Sequence, residues 1–151
     1  MQVKRSRTAP EVIAPQAAAA IPEEELTLED GGLSAEWELA AQAAQDKQAV
    51  NLVALDIREL TTMADVFLIC HGRNGRQNQT ISDEIEVRLK KEANLRPMSV
   101  EGYTTAEWIL MDYGDMIVHI FSEKAREYYD LDRLYRGATK MELPPDASNP
   151  S

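Results

Sequence analysis

Asp65-Val66-Phe67-Leu68-Ile69-Cys70 is an acid followed by five consecutive apolar residues, closed by His71-Gly72-Arg73-Asn74-Gly75 and followed by about seventeen proline-free residues, Arg76 to Glu92. From Val66 to Cys70 the run is short and apolar at every position, with Val66 and Ile69 β-branched, which predicts a strand buried on both faces. The last segment has Ile81, Ile85 and Leu89 at i, i+4 and i+8, one inward stripe of a helix. Glu84 with Arg88 and Glu86 with Lys90 support its outer side at i, i+4, and Pro97 enforces the stop. A buried strand followed by a long crossover helix is the unit from which sheets with covering helices are built.

Upstream, Ser34 is placed to cap an alanine-rich helix that runs to about Lys47. Val50 to Ile57 then reads as another strand of the two-face-buried kind. Downstream come three more, Met98 to Tyr103, Glu107 to Asp112 and Met116 to Phe121. Tyr113-Gly114-Asp115 joins the last two as a hairpin turn. Ser122 caps a final helix in which Tyr128, Leu131 and either Leu134 or Tyr135 face inward. The expected fold class is α/β (α+β), with a five-stranded mixed sheet flanked by helices.

The chain has 151 residues, 16 Lys and Arg against 26 Asp and Glu, and a formal net charge of −10. That length suits one domain whose core stands without disulfides. A single cysteine, Cys70, excludes a disulfide framework and any multi-cysteine metal site. No apolar run approaches the ~20 residues that span a bilayer, so no membrane partner is expected. The acidic balance argues against a protein that coats nucleic acid and favours a basic protein partner. Residues 1–33 are rich in proline, alanine and acids and are expected to form a disordered N-terminal leader. Lys4, Arg5 and Arg7 open it, but Pro15 and Gln16 interrupt a secretory core, and Glu11 with Glu23 to Glu25 speaks against a transit peptide. The folded domain is expected over 34–140, with a loose tail over 141–151, and the location is expected to be cytoplasmic.

Candidate chemistry is sparse. The Gly72–Gly75 loop precedes a helix N-terminus but matches neither the phosphate-binding loop nor the dinucleotide fingerprint, so a plain glycine turn is the simpler reading. A nucleotidyltransferase-like enzyme would need metal-binding acids converging there; Asp56 and Asp65 are the nearest, and they lack paired spacing. His119, inside a strand, is expected to be a hydrogen-bonded structural group, His71 to be exposed and Cys70 to pack as a small hydrophobe. No catalytic residue, cofactor or metal is expected.

The stretch between Arg96 and Lys124 has 27 residues, no Lys or Arg, and five acids: Glu101, Glu107, Asp112, Asp115 and Glu123. Alternation along Glu107–Asp112 puts Trp108, Leu110 and Asp112 on one face and Glu107, Ile109 and Met111 on the other. One face must build the core. The other then exposes an apolar patch with an acidic rim, the make-up of a protein interface, unless helices cover both faces and the acids are merely solvated.

Several strings in order resemble the Iojap family, the ribosomal silencing factors of bacteria and organelles. They are Leu55-Asp56-Ile57-Arg58-Glu59-Leu60, Ala64-Asp65-Val66-Phe67-Leu68-Ile69, Arg76-Gln77, Arg96-Pro97 and Val100-Glu101-Gly102. The most specific is Glu107-Trp108-Ile109-Leu110-Met111-Asp112-Tyr113-Gly114-Asp115, continuing Val118-His119-Ile120-Phe121, with Tyr128-Tyr129-Asp130-Leu131-Asp132-Arg133-Leu134-Tyr135 at the close. The resemblance covers about Trp37 to Gly137. It departs at Asn74, where serine is usual, and at Tyr135, often tryptophan; the leader is also longer than in many members.

The resemblance implies a nucleotidyltransferase-like sheet without the catalytic acids, and a non-enzymatic regulator of translation. Such a protein docks on the large ribosomal subunit through large-subunit ribosomal protein fourteen, blocks subunit joining and lowers translation when nutrients fail. Organellar relatives also act in large-subunit assembly from the same dock. The family's contact region falls on Trp108, Ile109, Met111 and Asp112, with Tyr113 nearby. Glu107, Asp112 and Asp115 are the candidates for pairing with Lys or Arg of the partner. An alternative from the residues themselves is a dimerising assembly protein whose apolar strand patch meets its own copy, and a homodimer off the ribosome is compatible with the silencing reading as a storage form.

Overall fold

The computed structural model of the chain describes residues 33–146. In chain order the elements are α1 (Glu36–Asp46), β1 (Val50–Asp56), β2 (Val66–Gly72), α2 (Gly75–Ala93), β3 (Ser99–Glu101), β4 (Trp108–Asp112), β5 (Met116–Ser122), α3 (Glu123–Tyr129), α4 (Leu131–Leu134) and β6 (Thr139–Met141). They form one six-stranded mixed sheet in the order β3-β4-β5-β2-β1-β6. β2 and β5 lie parallel at its centre, in register from Val66 opposite Met116 to Gly72 opposite Ser122. All other pairings are antiparallel.

Every residue of β2 is buried, as is every residue of β5 but Ser122. The run of apolar side chains has no polar face because two layers cover it. On one side Ala40, Ala41, Ala43 and Ala44 of α1 and Ile81, Ile85 and Leu89 of α2 pack over Leu68, Cys70, Ile109, Met111, Val118 and Ile120. The small alanines let α1 lie close beside α2, and the predicted stripe on α2 is fully buried. On the other side Ala125 and Leu131 of the short C-terminal helices meet Leu55, Phe67, Ile69 and Phe121.

Several expectations need correcting. The sheet has six strands rather than five. Met141, expected to open the loose tail, lies in β6 opposite Ala54. Leu143 packs against the core, and Gln45 Nε2 donates to the Pro144 carbonyl at 3.0 Å. β1 is half-buried rather than buried on both faces, because a register shift between Val50 and Val53 leaves Asn51 exposed at φ 49°. Ala35, not Ser34, is the N-cap of α1, and no side chain bonds there. The final helix breaks at Asp130, which adopts the left-handed conformation at φ 52°. Leu131 therefore turns inward, whereas Tyr128 is 79% exposed and Leu134 64%. The leader expected over 1–33 lies outside the described residues apart from Leu33, as does the tail beyond 146.

The turn into α2 keeps the chemistry that a serine would supply. Asn74 Oδ1 accepts from Gln77 N at 2.8 Å, and the helix starts at Gly75, so His71 and Gly72 belong to β2. Asn74→Ala is expected to lower stability by about 1 kcal/mol and Asn74→Ser to be near neutral, read by urea unfolding. Equal losses in the two variants would show that the side-chain cap contributes nothing.

Candidate docking surface on the sheet

β4 is anchored from both sides. It pairs with β5, Trp108 opposite Phe121 and Asp112 opposite Ile117, and with the three-residue edge strand β3. Gly102 makes the β3–β4 connection possible: at φ +80° it lies so close to the Trp108 carbonyl that a Cβ there would collide. The period of two then divides β4. Ile109 and Met111 point to the helical layer, and Trp108, Leu110 and Asp112 to the opposite face.

This division settles which of the expected contact residues reach the surface. Ile109 and Met111 have no exposed area, because α1 and α2 cover them, so neither side chain reaches the surface of the folded domain. Tyr113 is buried in the same layer, and burial pushes its phenol up from the ordinary value. Glu107, Trp108, Asp112 and Asp115 retain exposed area. Glu107 is also structural: its Oε1 accepts from Ser122 Oγ at 2.9 Å, and Ser122 in turn caps α3. Asp112 Oδ1 accepts from Gly114 N at 2.8 Å and holds the hairpin turn. The Asp115 carbonyl takes N–H groups from Asp65 and Val66. Glu107, Asp112 and Asp115 thus hold the local structure while keeping exposed area.

Trp108 is half-buried. Its ring centroid lies 4.7 Å from Phe121 and 4.5 Å from Tyr129, and Tyr129 in turn meets Tyr128 edge-on at 4.9 Å. Tyr129 is 42% exposed, so the three rings form a continuous aromatic strip from the sheet onto α3. The two tyrosines were missed from the sequence, which had assigned Tyr128 to the core. The signal that could have found them was Asp130, a residue tolerant of the left-handed conformation in mid-helix.

Under the strip, Trp108 Nε1 donates to His119 Nδ1 at 3.2 Å. His119 is fully buried, and burial pushes its imidazole down to about 3, which keeps it neutral with the proton on Nε2. Phe67 packs edge-on against it at 4.5 Å. It is the structural histidine expected. His71 is buried rather than exposed. Its Nδ1 lies 3.0 Å from Arg126 Nη1, and Arg126 grips Asp132 through two 3.0 Å bonds. Burial first and the guanidinium second hold His71 below its ordinary value. Arg126 likewise holds the Asp132 carboxyl down, against the opposing effect of burial. This cluster pins α3 and α4 to β2.

The loop proposed for phosphate is filled from within. Arg73 N donates to Gln77 Oε1 at 2.7 Å, Asn74 takes Gln77 N, and the Asn78 side chain packs against Gly72. Asp65 adjoins the opposite end of β2, about 20 Å away at strand rise, and Asp56 is paired with Arg58 at 2.8 Å. The acids do not converge on the loop, and no three His, Cys, Asp or Glu side chains gather elsewhere among the described residues. Cys70 is buried, its thiol pushed up to about 12, and packs as a small hydrophobe. No helix among them is long and apolar enough to cross a membrane.

A family model described as "ribosomal silencing factor during starvation" matches residues 33–151. The chain belongs to the ribosomal silencing factor family. It is 40% identical over 106 residues to the ribosomal silencing factor RsfS of Halalkalibacterium halodurans, covering 70% of this chain and 90% of that one. The chloroplastic protein Iojap of Zea mays is 31% identical over 106 residues, 70% of this chain and 46% of the relative. A crystal structure of a Chromobacterium violaceum protein superimposes with TM-score 0.64 at 30% identity, covering 76% of this chain and 94% of that one. One from Bacillus halodurans gives 0.61 at 37% identity over 71% and 96%. The Iojap resemblance and the mixed-sheet class are thereby borne out.

The buried histidines make stability depend on pH. Burial lowers both below their unfolded value, so their contribution is present above about pH 6.5 and is lost as pH falls. His119 alone should cost about 2 kcal/mol between pH 7 and pH 5. Urea unfolding at the two pH values checks this; an unchanged free energy would show that His119 is not neutral and buried.

Proposed function

We propose that this chain is a non-enzymatic silencing factor that docks on the large ribosomal subunit through large-subunit ribosomal protein fourteen. Bound there, the domain occludes the surface that meets the small subunit and lowers translation under nutrient limitation, in the cytoplasm. The observation that carries the reading is the Trp108–Tyr129–Tyr128 strip on a sheet face whose β3–β5 segment has no Lys or Arg, in a chain of this family. Aromatic anchors with a charged rim are the make-up of an energetic hot spot. The acids suit a basic protein surface and are repelled by the ribosomal RNA around it, which limits where a −10 chain can land. The mechanism is steric and needs no reacting group.

Sedimentation with isolated subunits tests it. The full chain is expected with the large subunit alone. Trp108→Ala should weaken binding by about 2 kcal/mol, roughly thirty-fold. Tyr128→Ala, which removes a ring from solvent, should weaken it without changing the urea midpoint. Val87→Ala on the outer side of α2 should bind as the parent does. Protein left at the top of every gradient would overturn the reading. Added salt should slow association more than it speeds dissociation.

A further inference from the structure

The chain carries its own candidate occupant for this face. Residues 1–10 contain Lys4, Arg5 and Arg7 and no acid; Glu11, Val12 and Ile13 follow. The window from Pro97 to Glu123 has the opposite make-up, five acids and no base, around the half-buried Trp108. We propose that residues 1–13 seat on the Trp108–Tyr129 face and hold it against the partner. The competitive part of this inference rests on the docking reading above, while the contact itself does not.

Reach permits it. The described chain begins at Leu33, which packs on the helical side. Residues 14–32 extend to at most about 65 Å. A domain of this size has a radius of gyration of about 13 Å, so half its circumference is on the order of 55 Å. The acids of that connecting stretch, Glu23 to Glu25, Glu29 and Asp30, are repelled by the acidic edge. Only the first thirteen residues complement it in both charge and apolar character. A contact within one chain works at an effective concentration of about millimolar, so a weak, salt-sensitive pairing suffices. A second copy is the poorer occupant, because it would bring the same acidic edge against itself.

The test uses the full chain with Ser6→Cys carrying a nitroxide; Cys70 is 1% exposed and stays unlabelled. Amide signals of Trp108, Asp112 and Tyr129 should lose more than half their intensity at low salt. They should recover at high salt and in a chain that also carries Lys4→Glu, Arg5→Glu and Arg7→Glu. Broadening centred on the outer side of α2 near Val87, broadening nowhere, or broadening only between separate labelled and unlabelled chains would each overturn the proposal. In parallel, the charge-reversed chain without the label should sediment with large subunits about five-fold more tightly than the parent. Weaker sedimentation would overturn the competition and put the leader on ribosomal RNA. Failure of the parent to bind with the broadening intact would fault the docking reading alone; binding without broadening would fault only the leader contact.

Discussion

A parallel strand pair with no exposed side chain must be covered on both faces, and β2 with β5 imposes that requirement on everything around it. The two long helices meet it on one side with a close-packed layer of alanine, isoleucine and leucine. On the other side, among the described residues, the helices are α3 and α4, seven and four residues long. They cover the β2–β5 centre and stop. Trp108, one strand further out, is left half-covered, and the protein presents its aromatic strip at that margin.

The same residues serve fold and surface. The Trp108 indole closes the hydrogen bond of a buried neutral histidine with one edge and offers its remaining surface to solvent. Glu107 and Asp112 hold the α3 cap and the hairpin turn while contributing negative charge. A surface built this way is preorganised: its side chains are already fixed by packing, so little rotamer entropy remains to be lost on binding. The Asp132–Arg126–His71 cluster fixes the second half of the strip by tying α3 and α4 to β2.

Much of this was legible in the sequence because the strong signals are local. The apolar run of β2, the Ile81–Ile85–Leu89 stripe and the Ser122 cap depend on neighbours a few residues apart, and each appears where read. What was not legible depends on distant partners. Alternation gave the two faces of β4 but not which one the helices take, so Ile109 and Met111 were counted as contacts although α1 and α2 bury them. β6 has three residues and is held by pairing with β1, some eighty positions away, which no local pattern announces. The break at Asp130 moved Tyr128 from the expected core to the surface. For the site, the acids and Trp108 were visible in composition, and the two tyrosines needed the fold.

In the proposed complex the face bearing Trp108, Tyr128 and Tyr129 meets the large subunit while the helical side faces away. Hydroxyl-radical footprinting of the full chain, alone and with isolated large subunits, tests it side chain by side chain. Tyr103, exposed and bonded to Asp83 of α2, reports the other side. Oxidation of Trp108, Tyr128 and Tyr129 should fall on adding large subunits while that of Tyr103 is unchanged. Protection of Tyr103 with the strip still reactive would contradict it.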